Sequence, residues 1–238
     1  MDATTRGASP PRLDARLPSE ADVRVTGSVS DLAVVCVDGG SAEALDGTWN
    51  ASLAWLVERL APTFPGMGFI EVRYRIKSWN RLEMCIEDAR AAIAFALESG
   101  AERCLLVGFS MGGAVAISVA GHDAVSTVVG LAPWIPDQLD LEPLRGRRLV
   151  VVHGALDRPL PRVPGVSPAA SRRGFDRAVA HGAVGTYTLI PGALHAIALS
   201  GPRGRPIALP RAGRWLELVA AEVERFEEGS DKGPARAV

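Results

Sequence analysis

One serine stands between two glycines, each two positions away, in Gly108-Phe109-Ser110-Met111-Gly112. The apolar run Arg103–Val107 before it reads as a buried strand, and Ala114–Ala120 after it is apolar all round, as an interior helix is. A strand-to-helix reversal this tight places the serine in strained backbone geometry and leaves no room for side chains at the glycine positions. It would lift Ser110 Oγ above a sheet and aim the Met111 backbone N–H, at a helix amino terminus, toward an oxyanion forming on a bound carbonyl. A Gly-rich turn whose serine merely caps the helix is the plainer alternative. A phosphate-binding turn fits less well, because both the G-x-G-x-x-G spacing and the Lys-Ser/Thr pair are missing.

A serine hydroxyl needs a base, normally an imidazole oriented by a carboxylate. The chain has four histidines. His122 and His181 lie near helix ends, where surface or capping roles suffice. His153 closes an apolar run next to Gly154 and reads as a packing residue at a sheet edge. His195 lies in Ile190-Pro-Gly-Ala-Leu-His-Ala after a late strand, on a loop that can reach Ser110. The acid is Asp157, in His153-Gly-Ala-Leu-Asp-Arg, just past another strand; its alternative is an ion pair with Arg158. Asp137 and Asp140 fall in a Pro-containing connection and read as turn residues.

These residues need a scaffold that delivers strand ends to one place. Short β-branched runs (Leu32–Val37, Phe69–Tyr74, Arg103–Val107, Val125–Leu131, Leu149–His153, Thr186–Ile190) alternate with amphipathic stretches of helical length. Such alternation requires right-handed crossovers and predicts a doubly wound α/β fold, a mostly parallel sheet with helices on both faces. Ligands then bind beyond the carboxyl ends of the strands, where all three chemical residues fall. Residues 1–28 read as a flexible tail or an edge strand near Val23–Val25, residues 29–228 as the domain, and 229–238 as a disordered tail.

Composition narrows the function. Lys+Arg 26 against Asp+Glu 27 gives a formal charge of -1, which argues against a nucleic-acid partner. The apolar runs fall well short of the roughly 20 residues that cross a bilayer, and the amino terminus lacks the order of a secretory signal. A soluble, cytoplasmic protein is expected. Cys36, Cys85 and Cys104 are scattered without metal-ligand spacing and read as reduced, buried packing residues; no metal and no organic cofactor is expected.

The order Ser110, Asp157, His195, each after a successive strand, resembles the α/β-hydrolase superfamily. GFSMGG, HGALDRPLP and PGALHAI are similar to the nucleophile elbow, acid loop and histidine loop of small carboxylesterases, thioesterases and dienelactone-hydrolase-like enzymes. The resemblance spans about residues 29–228 and implies an acyl-enzyme on Ser110, with the N–H groups of Gly40 and Met111 forming the oxyanion hole. One departure stands out: those families often carry His-Gly after the first central strand, where this chain has Asp38-Gly39-Gly40-Ser41.

Many relatives insert a helical cap where this chain has only the short connection Ala132 to Arg148, so a minimal or absent cap is expected. Ser41, Trp79, Trp134 and Lys77 are candidates to line the substrate, the tryptophans by walling an acyl pocket and Lys77, with Arg75, by receiving an anionic group. Helix packing and a solvated loop are the plainer alternatives. The expected partner is a small-molecule or carrier-linked acyl substrate. A cofactor-free acyltransferase or C–C hydrolase of the same fold, and a catalytically silent binding scaffold, are the competing functions; oligomeric state is left open.

Overall fold

The structure is a computed structural model that describes residues 11–159 and 165–229; of the tails expected at 1–28 and 229–238, residues 1–10 and 230–238 lie outside the described residues. In chain order the elements are β1 (Arg12–Arg16), β2 (Asp22–Thr26), β3 (Leu32–Val37), β4 (Leu45–Asp46), α1 (Ala51–Leu60), β5 (Gly68–Arg73), β6 (Ile76–Lys77), α2 (Leu82–Glu98), β7 (Arg103–Phe109), α3 (Met111–Val119), β8 (Val125–Leu131), β9 (Arg148–Gly154), α4 (Pro168–Ala180), β10 (Val184–Ile190), β11 (Ala198–Ser200), β12 (Pro206–Ala208) and α5 (Ala212–Glu227).

The main sheet has eight strands in the order β1-β2-β5-β3-β7-β8-β9-β10. Pairings β1–β2 and β2–β5 are antiparallel and the rest are parallel. The central strands are largely apolar because both of their faces are covered. Val34, Cys36, Leu105, Val107, Val129 and Val150 pack with α1 and α5 on one face. Their neighbours Val35, Val37, Leu106, Val128, Leu149 and Val151 pack with α2, α3 and α4 on the other. This is the doubly wound architecture that the alternating pattern predicts. At about 1.5–3 kcal/mol for each large apolar side chain taken from water, these two layers are the main stabilising term.

The sheet begins earlier than the sequence suggests. Val23–Val25 lies in β2, which is flanked on both sides, and β1 forms the edge. Leu17, Ala21, Val23 and Val25 belong to the core. The segment looks like a tail because Arg12, Asp14, Arg16, Asp22 and Arg24 interrupt its apolar pattern. Arg24 is nonetheless buried: its guanidinium makes a two-pronged ion pair with buried Glu71 of β5, Nε to Oε2 at 2.8 Å, and lies 4.4 Å from the centre of the Trp49 ring. A partner 47 positions away turns a surface-looking arginine into an interior one.

The connection from β8 to β9 contains a single 3-10 turn, Glu142–Leu144, and no cap domain, as its length leads one to expect. The β11–β12 hairpin packs against α1. Among the described residues no helix is long and apolar enough to cross a membrane.

Because breaking one partner of a buried pair leaves the other charge without compensation, Arg24→Ala should destabilise the domain by about 3–5 kcal/mol in urea unfolding. An effect below about 1 kcal/mol, the size of an exposed pair, would place β2 outside the cooperative fold.

Candidate active site

Ser110 follows β7 directly and precedes α3, with φ 54° and ψ -117°. Positive φ at a residue with a side chain costs on the order of 1–3 kcal/mol and persists only when its surroundings enforce it. Here three backbone bonds do so. Ser110 N–H donates to Leu131 O at 2.9 Å, and Ser110 O accepts from Gly113 N–H at 2.9 Å and Trp134 N–H at 2.8 Å. The flanking glycines are sterically required. A Cβ on Gly108 would lie 2.2 Å from Gly112 O, and one on Gly112 would lie 2.3 Å from Val37 O. Strand, turn and helix are thus in direct backbone contact, as the spacing of the motif predicts.

The loops after β9 and β10 meet beside this turn. Leu156 N–H donates to Ala193 O at 2.9 Å and Ala155 N–H to Ile190 O at 3.0 Å, which ties the Asp157 loop to the His195 loop. Asp157 Oδ2 lies 2.6 Å from His195 Nδ1. The carboxylate is buried, and Val166 N–H donates to its Oδ1 at 3.2 Å. Burial alone would raise its pKa, but the hydrogen bonds from His153 and His195 outweigh burial and hold it below the usual carboxylate range. The His195 side chain is 17% exposed, and its ring centre lies 5.1 Å from that of Phe109, the residue preceding Ser110. Ser110 Oγ and His195 Nε2 make no hydrogen bond with each other or with any other described residue. Catalytic hydroxyl–imidazole bonds are often slack until substrate fills the site.

His153 departs from its expected role. It is fully buried inside the sheet, between β8 and β10, and its Nε2 lies 2.9 Å from Asp157 Oδ2 and 2.9 Å from Val166 O. The signal was present in the four-residue spacing His153-Gly-Ala-Leu-Asp157, which a single turn closes.

The loop after β3 lies against the elbow. A Cβ on Gly40 would fall 2.2 Å from Met111 Sδ, and one on Gly39 would fall 3.3 Å from Ser110 Cβ. Gly39 N–H is taken by the Asp38 carboxylate, whereas the Gly40 and Met111 N–H groups have no acceptor among the described residues. Asp38 is buried; Tyr74 O–H donates to its carbonyl at 3.2 Å and Asn50 Nδ2 donates to its carboxylate. Burial pushes Asp38 up to about 6, against the pull of Lys77, Asn50 and Gly39. Asn50 also caps α1 by accepting from Leu53 N–H at 3.0 Å. Two residues on, Ser52 Oγ accepts from Ile197 N–H at 3.0 Å and Ala198 N–H at 3.2 Å. The start of α1 therefore holds the Asp38 loop with one side chain and the far side of the His195 loop with another. In the sequence both residues pass for ordinary helix-start residues.

The remaining candidates gather at the same strand ends. Trp134 is half-buried and its N–H bonds Ser110 O; Trp79 N–H donates to Ser41 O at 3.1 Å, beside the Gly39-Gly40 loop. Both tryptophans also pack on the core on the α2 side, so part of each is structural. Lys77 is half-buried, donates to Thr48 Oγ1 at 2.6 Å and acts electrostatically on Asp38.

A profile of the alpha/beta hydrolase family matches residues 34–234. The chain belongs to the alpha/beta hydrolase family. A search of curated proteins finds no match. Among solved structures, the fold is similar to a dienelactone hydrolase-like promiscuous phosphotriesterase from metagenomic libraries, with TM-score 0.65 and 16% identity over 93% of this chain and 99% of that one. It is also similar to a Xanthomonas campestris α/β serine hydrolase described as lacking a lid, with TM-score 0.62 and 16% identity over 97% and 98%. A Pyrococcus furiosus esterase gives TM-score 0.64 and 14% identity over 92% and 90%. At these identities the likeness is one of fold. Together with the family match it makes this alpha/beta hydrolase a cap-less member with hydrolase character.

Two stability measurements probe the geometry. Ser110→Gly removes the cost of positive φ and should stabilise the protein by about 1 kcal/mol or more relative to Ser110→Ala; equal melting temperatures would deny the strain. For Asp38, the folded state binds the proton more tightly than the unfolded one, so its contribution to stability falls as pH rises from about 4 to about 6. Asp38→Asn keeps an acceptor for Gly39 and Asn50 and should stabilise the fold by about 2–3 kcal/mol at pH 7–8, with the gain vanishing near pH 4. A gain independent of pH would show that charge burial is not its source.

Proposed function

We propose that the protein is a serine hydrolase that cleaves a small carboxylic ester or thioester through an acyl-enzyme on Ser110. The observation that carries this reading is the 2.6 Å contact between Asp157 Oδ2 and His195 Nδ1, at a loop pair that sits against the strained elbow of Ser110. With its Nδ1–H given to Asp157, His195 presents an Nε2 lone pair as a base. That nitrogen takes the Ser110 proton as Oγ bonds to the acyl carbon. The carbonyl π-electrons move to the oxygen, which the Gly40 and Met111 N–H groups receive. As the tetrahedral adduct collapses, His195 returns the proton to the departing alcohol or thiol. Water repeats the sequence and frees the acid, the imidazolium being stabilised throughout by Asp157.

The assignment of Ser41, Trp79, Trp134 and Lys77 to the substrate is part of this proposal. Trp134, whose backbone N–H bonds Ser110 O, and Trp79, whose backbone N–H bonds Ser41 O, are the residues we assign to wall a compact acyl group. The uncapped strand ends leave the leaving group facing water, which favours hydrolysis over transfer to a second acceptor.

A fluorophosphonate should label the protein once, and Ser110→Ala should abolish the label. Short-chain nitrophenyl esters and acyl thioesters should be turned over, with kcat lowered by about 10⁴ to 10⁶ in Ser110→Ala or His195→Ala. Undiminished labelling of Ser110→Ala would move the nucleophile elsewhere; labelling without any ester or thioester turnover would favour a silent scaffold.

A further inference from the structure

The Asp157 carboxylate serves two imidazoles. Its Oδ2 lies 2.6 Å from His195 Nδ1 and 2.9 Å from His153 Nε2, while Oδ1 takes the Val166 N–H. The same His153 nitrogen is 2.9 Å from Val166 O. A nitrogen facing two acceptors must carry the hydrogen, so these partners assign the proton of His153 to Nε2. Its Nδ1 is buried without a partner among the described residues. A proton there would have no acceptor, which opposes the other tautomer. As core filling alone this imidazole is a poor choice, since an apolar ring of similar size leaves no bare nitrogen in the interior. Its retained feature is the Nε2–H.

From this geometry we infer that His153 is a positioning residue for the general base. By giving Nε2–H to the oxygen that also receives His195 Nδ1–H, it fixes the direction of the Asp157 carboxylate and draws off part of its charge. The inference rests on the Ser110–His195–Asp157 reading above. The ring Asp157–His153–Val166 closes on itself, so a turn of the carboxyl group would break bonds to His153, His195 and Val166 together. The ionisable groups around His153 are Asp157, His195 across that carboxylate, and Tyr187, whose ring lies 6.5 Å away and nearly parallel; Arg172 lies beyond, 5.2 Å from the Tyr187 ring. Of these, Asp157 alone is hydrogen-bonded to His153 by its side chain.

Removing this donor has two effects. Freed to turn, Asp157 orients His195 less well, which lowers kcat and spares KM. With its charge no longer shared, Asp157 holds a proton on the His195 imidazole more tightly, which moves the acidic limb of the kcat/KM profile to higher pH. A purely structural role would not move that limb.

The test compares His153→Phe, His153→Asn and His153→Gln by nitrophenyl ester kinetics across pH, with melting curves to confirm folding. Gln reaches the position of Nε2 with an N–H, whereas Asn is one carbon too short. Phe and Asn should lose about tenfold to a hundredfold in kcat with KM changed less than about twofold, and their acidic limb should rise by roughly half a unit to one unit. Gln should recover most of kcat and the parent limb. If Phe fails to fold, the contrast between Asn and Gln decides. Parental kcat in folded Phe or Asn, or equal losses in Asn and Gln with an unmoved limb, would overturn the inference. Turnover surviving in Ser110→Ala would instead reveal failure of the underlying serine mechanism, whatever the His153 variants do.

Discussion

Removing a carboxylate from water costs several kcal/mol unless donors replace its hydration, and Asp157 meets that demand with three. The donors come from different parts of the chain: β9 through His153, the approach to α4 through Val166, and the loop after β10 through His195. The charge therefore gathers its own surroundings. Its pKa, held below the usual range despite burial, reflects bonds strong enough to keep it ionised. An ionised Asp157 in turn gives His195 a defined tautomer.

The opposite wall of the site depends on the first turn of α1. Asn50 reaches the Asp38 loop and Ser52 reaches the backbone just past His195. Both loops are thus referenced to one rigid helix rather than to each other. Asp38 stands where related families often place a histidine, and its carboxylate takes Gly39 N–H while the next N–H has no acceptor among the described residues. A buried acid in this position is compatible with the same backbone path.

Much of this was legible in the sequence because the central strands are covered on both faces. Leu32–Val37, a continuous apolar run, and Val125–Leu131, rich in β-branched residues, have the same bounds in sequence and structure. Ser110, Asp157 and His195 stand out as candidates because each follows a strand that the sequence predicts. Arg24 could not be placed, since its burial depends on Glu71 across the sheet, a pairing that no local pattern carries. His153 escapes a local reading for a related reason. Glycine beside it suggested packing, while its real partner is the acid four residues on, already assigned to another imidazole. Asn50 and Ser52 hide in plain helix-start chemistry, and only three-dimensional proximity reveals that their side chains reach across to loops on either side.

The brief passage from β8 to β9 carries a kinetic consequence. With only one 3-10 turn in that span, this connection supplies no hinged domain to swing over a bound molecule, so any gating of a catalytic cycle would have to come from other loops. Recognition would then fall on whatever the static floor of the cleft can grip, and bulk attached to the departing half of the substrate would project into solvent at little cost.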